Sequence, residues 1–477
     1  MKKIGILFTM LALLCFAFAF VSCYGQPGPS RVDDGYRTIT FNGNAPDALN
    51  VPAVMRFQTG TVVTIPQPRA LSRLGWNFVN WNTQAGGGGT NYSTGDTHTL
   101  NENLTLYAIW AEAPLPPLPP GTYTAWVFRG NPHADDFAGG HNTLQAALTW
   151  LATRTGAYTV RLTDNQTLAG VVLGTYPHNY PNIPAGLNLT LRGDGPQTIS
   201  LSSAGPMFNI VGASNVAHTP DNNTQLTLGD NITLQGHTAN NAAIVQVRHN
   251  ALFTMQPGST ITGNTVTGTG AGGVAAAVHI FTQGRFNMTG GTITGNSNTN
   301  NVGGRSTGGV LFSSTAGNNL APVNLSGGSI TGNTGVAGDM VVMGNALVNV
   351  TMSGDFSVGN LWLNNTSATG QLGGFVNITP DWNGTIGTIN LRGGAANSAA
   401  ADSLAATIGW WMQAGNNDVV RGVGGRTFDA AFLTMIGGGN FIGTNGTVNL
   451  QNQIQPISQV HRFELHDGNS RVRVVAQ

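Results

Sequence analysis

The chain reads as mainly β, with a small β module near its start and a long stack of repeated strand units behind it. Three observations predict this. A strand–turn–strand phrase recurs, as Phe253-Thr-Met-Gln-Pro-Gly-Ser-Thr-Ile-Thr-Gly-Asn264, Phe286-Asn-Met-Thr-Gly-Gly-Thr-Ile-Thr-Gly-Asn296 and Val323-Asn-Leu-Ser-Gly-Gly-Ser-Ile-Thr-Gly-Asn333. A weaker copy runs from Leu226 to Gly236. Within each copy apolar residues alternate with Thr, Ser or Asn, the period of a half-buried strand. Charged residues are only 8% of the chain while hydrophobics reach 40%, against about 25% charged in ordinary domains, so the surface is neutral and polar. Ile232, Ile261, Ile293 and Ile330 recur every 29 to 37 residues. That period belongs to stacked arrays, in which one unit cannot bury its own apolar edge.

The 477 residues suffice for two or three domains. Twenty basic residues balance twenty acidic ones, so nothing draws the chain to nucleic acid or to an anionic membrane surface. Cys15 and Cys23 both lie near the start, so no disulfide framework is expected.

Lys2-Lys3, the apolar run Ile4 to Val21 and Phe20-Val-Ser-Cys23 form the three parts of a secretory signal. Small Ser22 before Cys23 resembles a bacterial lipoprotein signal, with Phe20 where Leu is usual. The resemblance implies a signal over 1–22, acylation of Cys23 and a flexible tether over 23–35. The alternative is an uncleaved transmembrane helix, since the run is near the roughly 18-residue spanning threshold.

Residues 36–112 form the first module. Tyr36 to Phe41 and Gly60 to Ile65 are strands, and Pro66 and Pro68 break the second. Leu74-Gly-Trp-Asn-Phe-Val-Asn-Trp81 brings Trp76, Phe78 and Trp81 close together, and Gly86 to Gly89 reads as a mobile loop. Leu104-Thr-Leu-Tyr-Ala-Ile-Trp110 closes the unit. Thr40-Phe41-Asn42, Leu74 to Phe78 with Trp81, and Leu104 to Trp110 resemble the Listeria-Bacteroides repeat, the internalin B-repeat family, over about 75 residues. The resemblance implies a small β-grasp-like fold common on bacterial surface proteins, with no catalytic residues to carry over. Asn44-Ala-Pro46 departs from the usual Gly-Gly turn. Trp76, Phe78 and Trp81 are candidates for a sugar-binding platform, or else the core of a domain too small to fold without them. Residues 113–121, with Pro114-Leu-Pro-Pro-Leu-Pro-Pro120, read as a polyproline II spacer.

The repeat domain covers 122–477, with an N-terminal cap over 122–156 and a C-terminal cap over about 396–477. The cap helix is expected over 142–155, with Asn142 capping it, Gln145 in a capping box, and Leu144, Ala147, Leu148 and Leu151 on one face. Three short strands per repeat follow, with Ile, Val, Phe and Met inward and Thr and Asn outward. This pattern resembles the pectate-lyase-like right-handed parallel β-helix, and similar repeats occur in large surface proteins of host-associated bacteria. Ala399 to Gln413 suggests a further helix, and Asp467-Gly468 a closing hairpin. At each Ile-Thr-Gly-Asn corner Gly263, Gly295 and Gly332 permit positive φ, and Asn264, Asn296 and Asn333 would stack as an amide ladder.

A β-helix also hosts polysaccharide lyases and hydrolases, which work through clustered carboxylates. Here Asp339, Asp355 and Asp381 are isolated, Asp221 and Asp230 lack partners at useful spacing, and His461 and His466 fall on opposite faces of a strand. No nucleophile with a base and no phosphate loop is evident. The expectation is therefore a non-catalytic envelope lipoprotein, anchored by its lipid to the outer membrane and exposed at the surface, with an adhesin-like or structural role. It needs no cofactor or metal. A host matrix protein or glycan would be the partner. A β-helix carbohydrate-active enzyme is the alternative.

Overall fold

The computed structural model describes residues 35–68, 70–130, 136–174, 186–212, 224–267, 275–281, 283–300, 306–313, 322–343, 349–365, 374–393, 418–436, 440–442, 454–456 and 461–476. Cys23, the signal and tether, and the expected helix over 399–413 lie outside them. The chain divides into two compact units, one ending at Ala113 and one beginning at Pro114. Both are built mainly of β-strands in multi-strand sheets.

In the first unit, strands β1 (Tyr36–Asn42), β2 (Met55–Gln58), β3 (Thr61–Thr64), β4 (Trp76–Asn82), β5 (Asn91–Tyr92), β6 (Thr97–Leu100) and β7 (Leu104–Glu112) make a five-stranded sheet and a separate antiparallel pair. The sheet order is β2-β1-β7-β4-β5, and β3 pairs with β6. β1 and β7 run parallel at the centre, and their neighbours pair antiparallel. Ile39, Phe41, Trp81, Leu106 and Ala108 supply the sheet's side of the core, and Val63, Ile65 and Leu100 close it. Alternation along β1 and β7 places these residues on one face, as period two requires.

The second unit begins with a cap. β8 (Ala125–Arg129) and β9 (Phe137–His141) pair antiparallel, and helix α1 spans Leu144–Leu151. The helix is shorter than the expected 142–155, and its cap falls one residue later. Thr143 is its N-cap, its hydroxyl accepting from Ala146 N at 3.1 Å, while the Asn142 carbonyl accepts from the Thr124 hydroxyl. Gln145 makes no capping box; instead Leu144 N donates to the Gln166 side chain at 2.7 Å. Leu144, Ala147, Leu148 and Leu151 are buried. β8 pairs antiparallel with the strand Gly156–Leu162, covering an edge that would otherwise be free to template aggregation.

From Gly156 to Gly393 the strands pair in parallel with their counterparts one repeat later, and three ladders result. The first joins Gly156–Leu162, Leu187–Gly193, Gln225–Leu228 and Leu252–Met255, then the first halves of Arg285–Ile293 and Val323–Ile330, then Val350–Met352 and Val376–Ile378. The second joins Gln166–Leu168, Gln197–Leu201, Ile232–Gln235 and Thr260–Thr262, then the later halves of the two long strands. The third runs through Val171–Leu173, Phe208–Val211, Val245–Arg248, Val278–Ile280, Val310–Phe312 and Met340–Met343. Arg285–Ile293 serves two ladders because it bends at Gly290-Gly291. Gly291 holds φ +84°, and a Cβ on Gly290 would sit 2.6 Å from Pro257 of the preceding repeat. Inward residues stack on their own kind, as Phe253 does on Phe286 at 5.5 Å with rings 9° from parallel.

The outer faces are not uniformly polar, which corrects the expected inward-apolar, outward-polar rule. On the third ladder Leu311, Val341, Met343 and Trp362 point away from the main core yet are buried, with Ala243, Ala275 and Ala337, in a second small core. The alanines come from side arms after the corner glycines, joined by short parallel pairings such as Thr265–Val266 with Ser297–Asn298. A run such as Met340-Val-Val-Met343, buried at all four positions, is what a strand covered on both faces requires. At the far end Arg471–Ala476 pairs antiparallel with Asp418–Gly422 and forms a hairpin with His461–His466. Asp467, Gly468 and Asn469 at its turn all have positive φ. The proline-rich stretch is not a free spacer throughout: the Pro116 carbonyl accepts from Arg161 Nη1 at 2.8 Å.

Candidate functional site: the asparagine corner

At each Ile-Thr-Gly-Asn corner the glycine takes the left-handed turn, with φ of +70° at Gly263, +66° at Gly295 and +69° at Gly332. The asparagine is left to turn inward, and Asn264, Asn296 and Asn333 are buried. Each side-chain oxygen accepts a backbone N–H from the preceding repeat. Asn264 Oδ1 accepts from His237 N at 3.1 Å, Asn296 Oδ1 from Asn264 N at 3.2 Å, and Asn333 Oδ1 from Asn296 N at 3.2 Å. Each Nδ2 donates to main-chain carbonyls, including Ala276 O from Asn264, Ile261 O from Asn296 and Ile293 O from Asn333. Side chains also bond to each other, Asn240 Nδ2 to Asn264 Oδ1 at 2.9 Å and Asn296 Nδ2 to Asn333 Oδ1 at 3.0 Å. The amides thus satisfy backbone groups that the corner withholds from the ladders.

The row ends on a carboxylate that sequence reasoning passed over as isolated. Asp339 is 1% exposed. Its Oδ1 accepts from Asn333 N at 2.8 Å and Asn333 Nδ2 at 3.0 Å, and its Oδ2 from Asn360 N at 2.9 Å. A carboxylate is acceptor-only when ionised and suits a place where every neighbour donates. Asp339 lies six residues from Asn333 but 21 from Asn360, so only the stacking of repeats reveals its role. The signal available in sequence was the shortened corner of the next repeat, Ser357-Val-Gly-Asn360 in place of Ser329-Ile-Thr-Gly-Asn333, with Asp339 ahead of it.

The aromatic trio of the first unit divides. Trp81 is fully buried, 4.9 Å from Phe41 and 5.1 Å from Phe78. A ring with no exposed face cannot stack on a sugar, so Trp81 takes the core role of the two that the sequence left open. Trp76 and Phe78 are half-buried, and the Arg73 guanidinium lies 4.1 Å over the Trp76 ring. The Gly86 to Gly89 loop is held rather than loose. Buried Asn82 donates to Gly87 O, Gly89 O and Asn91 Oδ1, and accepts from Gln84 N and Gly89 N.

Elsewhere the third ladder brings together a serine and a histidine 34 residues apart. His279 Nε2 lies 2.9 Å from Ser313 Oγ, and its ring stacks on Phe281 at 3.6 Å. The Arg248 guanidinium lies 3.6 Å over the same Phe281 ring. Burial first, and then the Arg248 charge, push the His279 imidazole down to about 3. At that value it is a poor base near neutrality, where a catalytic imidazole needs a pKa close to the working pH. Buried Asp418 is bound by Arg421, Arg471 and Arg473 at 2.9, 3.3 and 2.5 Å, and its hydrogen bond raises the Arg473 pKa. In-register Arg161 and Arg192 each bind a carboxylate, Asp194 at 2.6 Å and Asp230 at 2.7 Å. Among the described residues no group of three or more His, Cys, Asp or Glu could hold a metal ion, and no helix is long and apolar enough to cross a membrane.

Against known proteins, residues 38–109 match the Listeria-Bacteroides repeat domain. The chain is similar to a protein of Evansella cellulosilytica named "Putative membrane protein", 36% identical over 74 residues, which is 15% of this chain and 11% of that protein. It is also similar to a "Putative Gly-rich membrane protein" of the same organism, 34% identical over 73 residues, 15% of this chain and 8% of that one. The chain thus spans about a tenth of these relatives' length. No solved structure matches the chain. The identification these comparisons carry is that residues 38–109 are a Listeria-Bacteroides repeat domain.

Proposed function

We propose that the chain is a lipid-anchored protein of the bacterial outer membrane, exposed at the surface. In this reading its repeats wind as a right-handed parallel β-helix and its first unit is β-grasp-like. Its role is adhesion or spacing, not catalysis. The observation that carries the reading is the Listeria-Bacteroides repeat at 38–109. The relatives' names, both of membrane proteins, support an envelope setting. A non-catalytic role is supported by the commitment of the buried acids: Asp339 accepts amides, and Asp418 is held by three arginines. A host matrix protein or glycan is the partner class, met through neutral polar groups.

Cys23 would carry the lipid. Cells fed a clickable fatty acid should label the wild type and not Cys23→Ala; equal labelling of both would refute the anchor. The only lysines are Lys2 and Lys3, so amine-directed surface labelling cannot report on the rest of the chain. Digestion of intact cells with a broad-specificity protease should cleave the protein, and full protection would place it inside the envelope. Depolymerisation of pectin, alginate or a glycosaminoglycan by the purified protein would overturn the non-catalytic reading in favour of a carbohydrate-active enzyme.

A further inference from the structure

We propose that the outer face of the second ladder is an ice-binding surface. Thr260, Thr292 and Ser329 lie in register, strand upon strand, and form one column. Thr262, Thr294 and Thr331 form a second column two residues on. The parallel pattern continues there, with Thr294 N donating to Ile261 O and Thr331 N to Ile293 O. Between the columns Ile261, Ile293 and Ile330 point inward and are fully buried, which fixes all six hydroxyl side chains outward. All six are half-exposed, as expected of side chains packed against copies of themselves above and below.

Four features point to ordered water as the occupant. Among the described residues, no hydrogen bond joins any of the six hydroxyls to another protein group, so each keeps its donor and acceptors for solvent. The columns carry no charge that would hold mobile hydration. Five of the six are threonines, β-branched and stiff at χ1, so their methyl and hydroxyl positions are set before anything binds. The spacing is also regular, about 4.8 Å between strands and about 6.6 Å between outward residues two apart, comparable with oxygen repeats along the principal axes of hexagonal ice. A single hydroxyl gains almost nothing by exchanging one water for another. A rigid two-dimensional array gains only against a solid whose lattice it matches. The six-residue face has no aromatic ring to stack on a sugar, which favours ice over a neutral polysaccharide.

The test uses the purified full chain and a single ice crystal held near its melting point. Wild type should facet the crystal and hold growth over a measurable gap between freezing and melting. T262Y/T294Y, which places two bulky rings on the outer face, should lose at least fivefold of that gap while keeping the wild-type circular dichroism melt. N324Y, a change on the exposed outer row of the first ladder, should keep the activity. Unfaceted growth with no gap for wild type would overturn the proposal, as would full activity in T262Y/T294Y. Retention on an insoluble neutral polysaccharide without effect on ice would overturn it too and reassign the face.

Discussion

Asn296 offers the sharpest test of how the corners are held. Its side chain makes four hydrogen bonds in a buried site: Nδ2 donates to Ile261 O at 3.1 Å, Thr294 O at 3.1 Å and Asn333 Oδ1 at 3.0 Å, and Oδ1 accepts from Asn264 N at 3.2 Å. Truncation to alanine does not orphan every partner. Ile261 O still accepts from Thr294 N, and Asn333 Oδ1 still accepts from Asn296 N. The Asn264 N–H loses its partner inside the protein, and a buried unsatisfied donor costs about 1–3 kcal/mol. Adding about 1 kcal/mol for the lost interactions that water cannot replace gives a loss of about 3 kcal/mol. Neighbouring repeats can open locally, so the assay is hydrogen exchange at the Asn264 amide beside a urea titration. A loss of about 3 kcal/mol corresponds to a roughly hundredfold fall in protection of that amide. Asn296→Asp should be worse than alanine, because the oxygen that replaces Nδ2 would face the Ile261 and Thr294 carbonyls and the Asn333 amide oxygen. A change within about 0.5 kcal/mol, the range of ordinary surface substitutions, or an aspartate variant as stable as wild type, would refute the account.

Other outcomes follow from the same reasoning. The His279 imidazole is lowered to about 3 from 6.5, so the unfolded chain binds its proton first as pH falls. The stability due to this site is therefore complete above about pH 6.5 and declines from there toward pH 3, by up to several kcal/mol. Replacing His279 with Gln should flatten that part of the pH–stability profile, and an unchanged slope would show that another group sets it. Asp339→Asn turns an N–H toward donors at Asn333 or Asn360 and should lower the thermal midpoint, a cost of about 2 kcal/mol; a midpoint equal to wild type would mean the row does not need its terminal acceptor. Asn82→Ala should expose the 83–90 loop to limited proteolysis, since five hydrogen bonds close it now; unchanged cleavage would show the glycines hold their own shape. Ile293→Asp puts a charge in a fully buried position and should cost several kcal/mol, so a wild-type melt would mean Ile293 is not inward.

The sequence alone determined the repeat and its period, because identical local needs recur at each corner. Ile261, Ile293 and Ile330 must be buried, Gly263, Gly295 and Gly332 must turn with positive φ, and alternation sets which neighbours face out. It also picked out the Listeria-Bacteroides module, whose aromatic residues are too many for so short a stretch to leave in water. Boundaries were less legible: Thr143 rather than Asn142 caps α1, because either side chain can cap and only the course of β9 chooses between them. What tertiary structure decided is whatever depends on the residue one repeat away. Asp339 looks solitary along the chain, and its role appears only when Asn333 and Asn360 are stacked beside it. His279 and Ser313 are 34 residues apart and meet through strand register. Trp81 could serve a sugar platform or the core by its sequence, and only the closed sheet assigns it to the core. Leu311, Val341 and Trp362 broke the outward-polar rule because side arms fold back on the third ladder, and a single strand's pattern records that a face is buried but not what buries it.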